Sequence, residues 1–295
     1  MNAEPNACIA DLSADVSGNR QLAVENRKRS NHPCFDREAH GKFARVHLPV
    51  APRCNLQCNF CNRKFDCMNE SRPGVTSAIL PSVQAVPYLE EVAARVKNLS
   101  VVGIAGPGDP FANPLETMET LVAVRRRFPE MLLCLATNGL GIGPHIENIA
   151  ALKVSHVTFT VNAVDPAIGA KIYAWIRDGR RPLRGVEAAQ LLLERQLAAI
   201  RRLKELGVTV KINSILMPGI NDTHIPEVAK MVKKCGADLM NVMAFLPVKG
   251  AAFEELAPPD NLEMARARMQ SGLHLPQMSH CARCRARACA ALRGT

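Results

Sequence analysis

The chain has 295 residues and a formal net charge of +10, from 37 Lys and Arg against 27 Asp and Glu. Its hydrophobic fraction of 47% excludes wholesale disorder. It has no apolar run of membrane-spanning length and no apolar leader, so we expect a cytoplasmic protein. The positive charge favours anionic partners, but an aromatic fraction of 4% argues against base stacking with nucleic acid.

Segments of strand and helix character alternate along most of the chain. Residues 1–30 lack periodicity and predict a flexible arm. The apolar pattern predicts strands at Val46–Val50, Leu99–Ala105, Met131–Ala136, Val154–Val161, Val208–Leu216 and Leu239–Leu246. It predicts helices at Pro81–Lys97, Leu115–Phe128, Glu187–Leu206 and Ile225–Cys235, and the long third helix is expected to end at Gly207.

This order predicts an α/β fold with a parallel sheet. Six strand–helix units fit a partial (β/α)6 TIM-like barrel better than a closed barrel of eight units. We expect the barrel and an N-terminal ligand segment to span residues 31–250. Residues 251–295 then form a C-terminal extension with a helix at Asn261–Met269. Glycine-rich and polar residues follow the predicted strands, which is where barrels of this kind place their sites.

The eleven cysteines are many for a reducing compartment and indicate metal binding or catalysis before disulfides. Cys54, Cys58 and Cys61 form a C-x3-C-x2-C loop directly after the first strand. Three thiolates on a four-iron cluster leave one iron open to another ligand. A zinc knuckle and a loop of buried cysteines are the alternatives. A ferredoxin-like fourth ligand would be Cys67, but Met68 follows it where proline is usual.

With the barrel that follows it, this cysteine loop resembles the radical S-adenosylmethionine (SAM) superfamily. Residues 31–77 closely resemble the NifB family of nitrogenase iron–molybdenum cofactor maturases, in the form without its C-terminal carrier-like domain. Four further motifs match that family: Gly106-Pro107-Gly108-Asp109-Pro110, Thr137-Asn138-Gly139, Thr160-Val161-Asn162-Ala163 and Lys211-Ile212-Asn213.

The resemblance implies SAM on the open iron of a 4Fe-4S cluster, together with two further 4Fe-4S precursor clusters. It implies precursor ligands His47, Cys67 and Cys134 for one cluster, and Cys34, Cys281 and Cys284 for the other. Glu70 is expected near the substrate in proton handling. The residues expected to contact SAM are Gly106, Gly108, Asp109, Thr137, Asn138, Asn162 and Asn213.

Most of these residues have an ordinary structural alternative. Cys134 lies inside an apolar strand, where a cysteine is usually a small core residue. His47 lies on another strand, where a histidine is usually a core side chain whose hydrogen bonds are satisfied. Cys281 and Cys284 could form a zinc half-site with Cys289 or His280. Glu70 could be an anion on a surface loop.

The family function is fusion of two four-iron clusters into an eight-iron core with a SAM-derived central carbide. The expected partners are a cluster donor, a cofactor-accepting carrier and a ferredoxin- or flavodoxin-like electron donor. No membrane or nucleic-acid partner is expected. Three alternatives remain: a radical SAM enzyme with auxiliary clusters acting on a peptide or small molecule, a non-catalytic iron–sulfur scaffold or carrier, and a zinc-ribbon nucleic-acid binder.

Overall fold

The computed structural model describes residues 31–69, 76 and 78–280. A six-stranded parallel sheet organises this part of the chain, in the order β1-β3-β4-β5-β8-β9. The strands are β1 (Ala44–His47), β2 (Leu56–Cys58), β3 (Leu99–Ile104), β4 (Leu132–Thr137), β5 (Val154–Thr160), β6 (Tyr173–Asp178), β7 (Arg181–Leu183), β8 (Thr209–Leu216) and β9 (Leu239–Ala244). The predicted partial barrel of six parallel strands is confirmed.

Helices cover the outer face of this sheet. They are α1 (Ala85–Arg95), α2 (Pro114–Arg127), α3 (Ile146–Ala151), α4 (Pro166–Ile172), α5 (Gly185–Glu205), α6 (Ile225–Lys234) and α7 (Asn261–Gly272). Gly207 adopts a φ of +79° just after α5, as the predicted helix end requires. Among the described residues, no helix is long and apolar enough to cross a membrane.

Side chains on the six parallel strands alternate between two environments. Val102, Leu133, Val157 and Ile212 belong to the apolar core beneath the helices. Their strand neighbours point into the barrel lumen, because successive strand residues face opposite sides. The lumen side chains are unusually polar and include Arg45, His47, Cys134, His156, Thr158, Lys211, Asn213 and Asn241.

A second sheet of three antiparallel strands was not predicted. It has the order β2-β6-β7, and its first strand carries Cys58 of the cysteine loop. In the register, Leu56 pairs with Ile176 and Gln57 with Trp175. The sequence analysis also missed the short helices α3 and α4. The elements β2, β7, α3 and α4 are too short to show a clear apolar period, and β6 is interrupted by charge at Arg177 and Asp178.

The cysteine loop lies directly on the end of β3. The Gly108 amide donates to the Ala51 carbonyl at 2.6 Å, and the Asp109 amide donates to the Arg53 carbonyl at 2.8 Å. Asn113 occupies the N-cap position of α2, but its side chain bonds the Arg53 backbone and does not cap the helix.

We predict that Gly108→Ala displaces the cysteine loop. A Cβ at this position would lie 2.0 Å from the Arg53 carbonyl oxygen, so backbone must move. We expect the free energy of unfolding to fall by on the order of 2 kcal/mol. We also expect the reconstituted protein to lose iron. Gly143→Ala is the matched control, since a Cβ there meets nothing within 4 Å. Urea denaturation and iron analysis measure both; wild-type behaviour of Gly108→Ala would contradict the prediction.

We also predict acid sensitivity from the buried His156. Burial, with Lys211 and Lys204 nearby, lowers the pKa of His156 to about 3. An unfolded histidine takes up its proton near pH 6.5, so the unfolded state binds more protons below that pH. The contribution to stability is therefore complete above pH 6.5 and is lost as the pH falls towards 3.

The variant His156→Phe keeps a ring against His32 and Phe35 but cannot titrate. Between pH 6.5 and 5, we expect the free energy of unfolding of the metal-free variant to fall less steeply with pH than that of the metal-free wild type. The two slopes should differ by up to about 1.4 kcal/mol per pH unit. Chemical denaturation at several pH values measures the slope. The exposed His274, as His274→Phe, should leave the slope unchanged; equal slopes for all three proteins would refute the prediction.

Candidate active site

The carboxyl ends of the parallel strands meet the cysteine loop around one cavity, which we call the upper cavity. Cys54, Cys58 and Cys61 line it together with Cys67. The other residues in its wall include Arg63, Gly108, Asp109, Thr137, Asn138, Thr160 and Tyr173. Most of the predicted SAM-contacting positions therefore converge with the three loop cysteines.

The loop thiols lie close enough to influence one another electrostatically. Burial raises the pKa of Cys54 to about 11, with a further contribution from Asp109. Burial also raises the pKa of Cys58 well above its ordinary value, and Cys61, Cys54 and Cys67 add to that shift. Without metal these thiols hold their protons at neutral pH, so binding iron must release protons.

Arg63 places a positive charge beside the thiols. Its guanidinium donates to the Pro52 carbonyl at 2.8 Å and to the Pro107 carbonyl at 3.3 Å. Cys54, Cys61 and Cys67 together raise the pKa of Arg63, despite its partial burial. A cation fixed by two carbonyls is well suited to offset the negative charge of thiolates and sulfide.

The donor set fits a cluster better than a single ion. Within residues 31–69, 76 and 78–280, no three His, Cys, Asp or Glu side chains converge closely enough to bind one metal ion. A tetrahedral zinc site needs such convergence. A cubane cluster is wider and separates its ligands, and the three loop thiols face one cavity in that manner.

Asp109 ties neighbouring strand ends together beneath this cavity. Its buried carboxylate accepts from the Thr137 hydroxyl at 2.9 Å and from the Asn138 amide at 2.6 Å. The Asn138 side chain in turn donates to the Asn55 side-chain oxygen at 2.7 Å and lies 3.8 Å from the Cys54 sulfur. Asp109 therefore orients Thr137 and Asn138 towards the cysteine loop.

Asn162 and Asn213 occupy different positions from the other predicted contacts. The Asn162 amide oxygen accepts from the Ile215 amide at 2.9 Å, and its nitrogen donates to the Tyr173 hydroxyl. Asn213 is fully buried on the lumen face beside Asn241 in the register. Neither side-chain polar atom of Asn213 has a hydrogen-bond partner within the described part of the chain.

A second cavity, the lower cavity, lies deeper in the lumen. Cys34, His47 and Cys134 line it together, with Arg45 and Lys211. Ala105 and Ala136 line both cavities, so the two adjoin. The structure thus brings His47 and Cys134 together but positions Cys67 at the upper cavity.

Close packing fixes the walls of the lower cavity. The His47 ring lies over Gly103, where an added Cβ would be 3.3 Å from the Nε2 atom. The Phe35 and His156 rings pack at a tilt of 53° with centroids 4.3 Å apart, and the Lys211 ammonium lies 5.0 Å from the centroid of the Phe35 ring. These contacts hold the segment that carries Cys34 inside the barrel.

Three predicted site residues, Glu70, Cys281 and Cys284, lie outside the described residues. The last described residue, His280, has its ring 5.1 Å from that of His40. His40 belongs to the same segment as Cys34, and its ring also contacts the Pro33 carbonyl. The chain therefore returns to the Cys34 segment immediately before Cys281.

The sequence analysis missed several charged and aromatic residues of these cavities. Arg63 follows the last loop cysteine by two residues, which is a signal that could have found it. Arg45, Lys211 and Tyr173 lie on strands, where a lone polar residue usually faces solvent. Their burial depends on the closed lumen and could not be predicted from spacing alone.

Comparisons with known proteins agree with this geometry. The model of the Radical SAM superfamily matches residues 48–232. The FeMo cofactor biosynthesis protein NifB of Chlorobaculum tepidum is 56% identical over 256 residues, covering 87% of this chain and 60% of that protein. NifB of Klebsiella pneumoniae is 48% identical over 278 residues, covering 92% and 59%.

The chain thus spans about 60% of the length of these curated relatives. The crystal structure of Streptococcus suis SuiB bound to S-adenosylmethionine shares the fold. Its TM-score is 0.57 at 16% identity, and the match covers 80% of this chain and 50% of that one. The chain belongs to the radical SAM superfamily and resembles the FeMo cofactor biosynthesis protein NifB over most of its length.

Proposed function

We propose that the chain is a radical SAM maturase that fuses two 4Fe-4S clusters into an eight-iron core with a SAM-derived central carbide, the precursor of the nitrogenase iron–molybdenum cofactor. The observation that carries the proposal is the single lumen with two adjoining thiol-lined cavities. An enzyme that only cleaves SAM needs one such cavity. A second one, lined by Cys34, His47 and Cys134, supports iron–sulfur clusters as substrates.

In this proposal Cys54, Cys58 and Cys61 hold the resident cluster. When bound, the cluster and SAM would supply a methyl donor and a hydrogen-abstracting radical. Arg63 offsets the negative charge of the thiolates, and Asn138 fixes the position of the loop at Cys54. Gly106, Gly108, Asp109, Thr137, Asn138, Asn162 and Asn213 are proposed to shape or contact the SAM site.

The substrate clusters would occupy the lumen. We assign His47, Cys67 and Cys134 to one, and Cys34, Cys281 and Cys284 to the other. The contact between His280 and His40 supports the second set, because it brings the chain to the Cys34 segment just before Cys281. Lys211 and Arg45 would face the anionic clusters, and none of the described side chains lining the lower cavity is acidic.

We further propose proton handling by Glu70 near the substrate, and a role for Cys67 and His47 as ligands released when the precursor cluster is consumed. The proposed partners are a cluster donor, a cofactor-accepting carrier and a low-potential electron donor in the cytoplasm. Residues 31–250 would form the barrel with its ligand segment, and residues 251–295 the extension that completes the lumen.

The decisive experiment is anaerobic turnover of the reconstituted protein. With reductant and SAM, we expect both 5′-deoxyadenosine and S-adenosylhomocysteine, together with an extractable cluster of eight irons. Formation of 5′-deoxyadenosine alone, with the auxiliary iron unchanged, would point to a radical enzyme acting on another substrate. Absence of both products would leave only a scaffold and refute the proposal.

We predict that Cys134→Ala removes one substrate cluster and keeps the resident one. The reconstituted variant should lose about four irons per chain and should still cleave SAM to 5′-deoxyadenosine. Iron analysis and EPR spectroscopy measure the loss. Cys235→Ala is the control, because that thiol is buried in the helix-covered core rather than the lumen. Equal iron contents in the two variants would show that Cys134 is not a ligand.

A further inference from the structure

The antiparallel pair β6–β7 forms a hairpin that is strongly basic. The hairpin and the residues that flank it, 171–184, contain five basic side chains, Lys171 at the end of α4 and Arg177, Arg180, Arg181 and Arg184, against one acid, Asp178. All five basic residues are exposed. Arg181 pairs with Glu187, and Asp178 pairs with Arg195. Arg177, Arg180 and Arg184 form no ion pair with any described residue, so their charge is available to a partner.

The hairpin is bonded directly to the cysteine loop. Its first strand pairs with β2, and the Arg177 amide donates to the Asn55 carbonyl at 2.7 Å. Asn55 follows Cys54, and Cys58 on β2 pairs with Tyr173 of the hairpin, so the hairpin adjoins two proposed ligands of the resident cluster.

A surface hollow of about 490 Å³ opens between the hairpin and the loop. Arg177, Trp175 and Cys54 line it, with Phe111, Leu140 and Arg195. Cys54 also lines the upper cavity, so this one residue connects the outer surface with the cluster site. Trp175 is the only tryptophan of the chain, and the Arg177 guanidinium lies 5.9 Å from its ring.

We propose that the hollow and its basic hairpin are the docking surface for an acidic, low-potential one-electron carrier protein. The inference rests on the resident cluster of the proposed function. The carrier loses one electron at its own iron–sulfur or flavin centre, and the resident cluster gains that electron; no proton or bond is exchanged. Electron transfer slows steeply with distance, and this surface is separated from the cluster site by the Cys54 residue alone. Complementary charge speeds encounter, and the half-buried Trp175 ring beside Arg177 provides an aromatic contact within the hollow.

The test uses an acidic two-cluster bacterial ferredoxin as the probe and the reconstituted full chain. Quenching of Trp175 fluorescence reports binding, and stopped-flow absorbance reports reduction of the cluster. For wild type we expect binding that weakens as salt rises. For the double variant Arg177→Glu/Arg180→Glu at low salt, we expect the rates of ferredoxin binding and of cluster reduction to be about tenfold lower than for wild type. Both rates should depend little on salt concentration. Arg177→Gln/Arg180→Gln should give an intermediate loss, which separates a charge effect from misfolding.

Two controls make the outcomes distinct. The double variant Arg126→Glu/Lys234→Glu makes the same change in charge at the exposed C-terminal ends of α2 and α6. These helix ends lead into the amino ends of parallel strands, away from the cysteine loop, so this variant should behave as wild type. Reduction by photoreduced deazaflavin, a small neutral reductant, should be unaffected in every variant. If ferredoxin reduces the hairpin variants as fast as wild type, the docking surface is wrong. If a short RNA quenches Trp175 and ferredoxin does not, the hairpin binds nucleic acid instead. If neither the wild type nor any variant holds a reducible cluster, the proposed function fails as well.

Discussion

The site depends on backbone hydrogen bonds between the cysteine loop and the end of β3. The carbonyls of Ala51 and Arg53 accept from the amides of Gly108 and Asp109, and the Cys67 amide donates to the Pro107 carbonyl. These bonds need an approach so close that no side chain fits at Gly108. A cluster loop held by main chain on both sides keeps its thiols in place before iron arrives, which lowers the ordering cost of binding.

Elements with a repeated local pattern could be predicted from the sequence. The runs that became β3, β5 and β8 are rich in β-branched residues, and the run that became β4 is apolar, so strands could be predicted at all four and their parallel order inferred. The β2–β6–β7 sheet could not be, because its strands are three to six residues long and interrupted by charge. Its existence depends on pairing between segments more than a hundred residues apart.

Some residues of the candidate site could likewise be predicted from the sequence, and others could not. The C-x3-C-x2-C spacing identified three thiols, which the fold brings to one cavity. Arg45 and Lys211 were not predicted to face the lumen, although Lys211 belongs to a motif that matches the family, since a charge within a strand is ordinarily solvent-exposed. Burying them is costly unless negative charge meets them. In the proposed function, the substrate clusters bring negative charge close to both cations, which line the lower cavity.

The lumen cations and the basic hairpin are two regions of positive charge that differ in exposure, and exposure decides how a charge acts. Lys211 and Arg45 are buried, where a fixed charge acts strongly on any group that enters the lumen. The hairpin arginines are exposed, where salt screens each contact and the benefit lies in the rate of encounter. In the proposed function, the substrate clusters are retained through a multi-step reaction, whereas the proposed electron carrier must arrive and leave. Buried charge suits the first requirement and exposed charge the second.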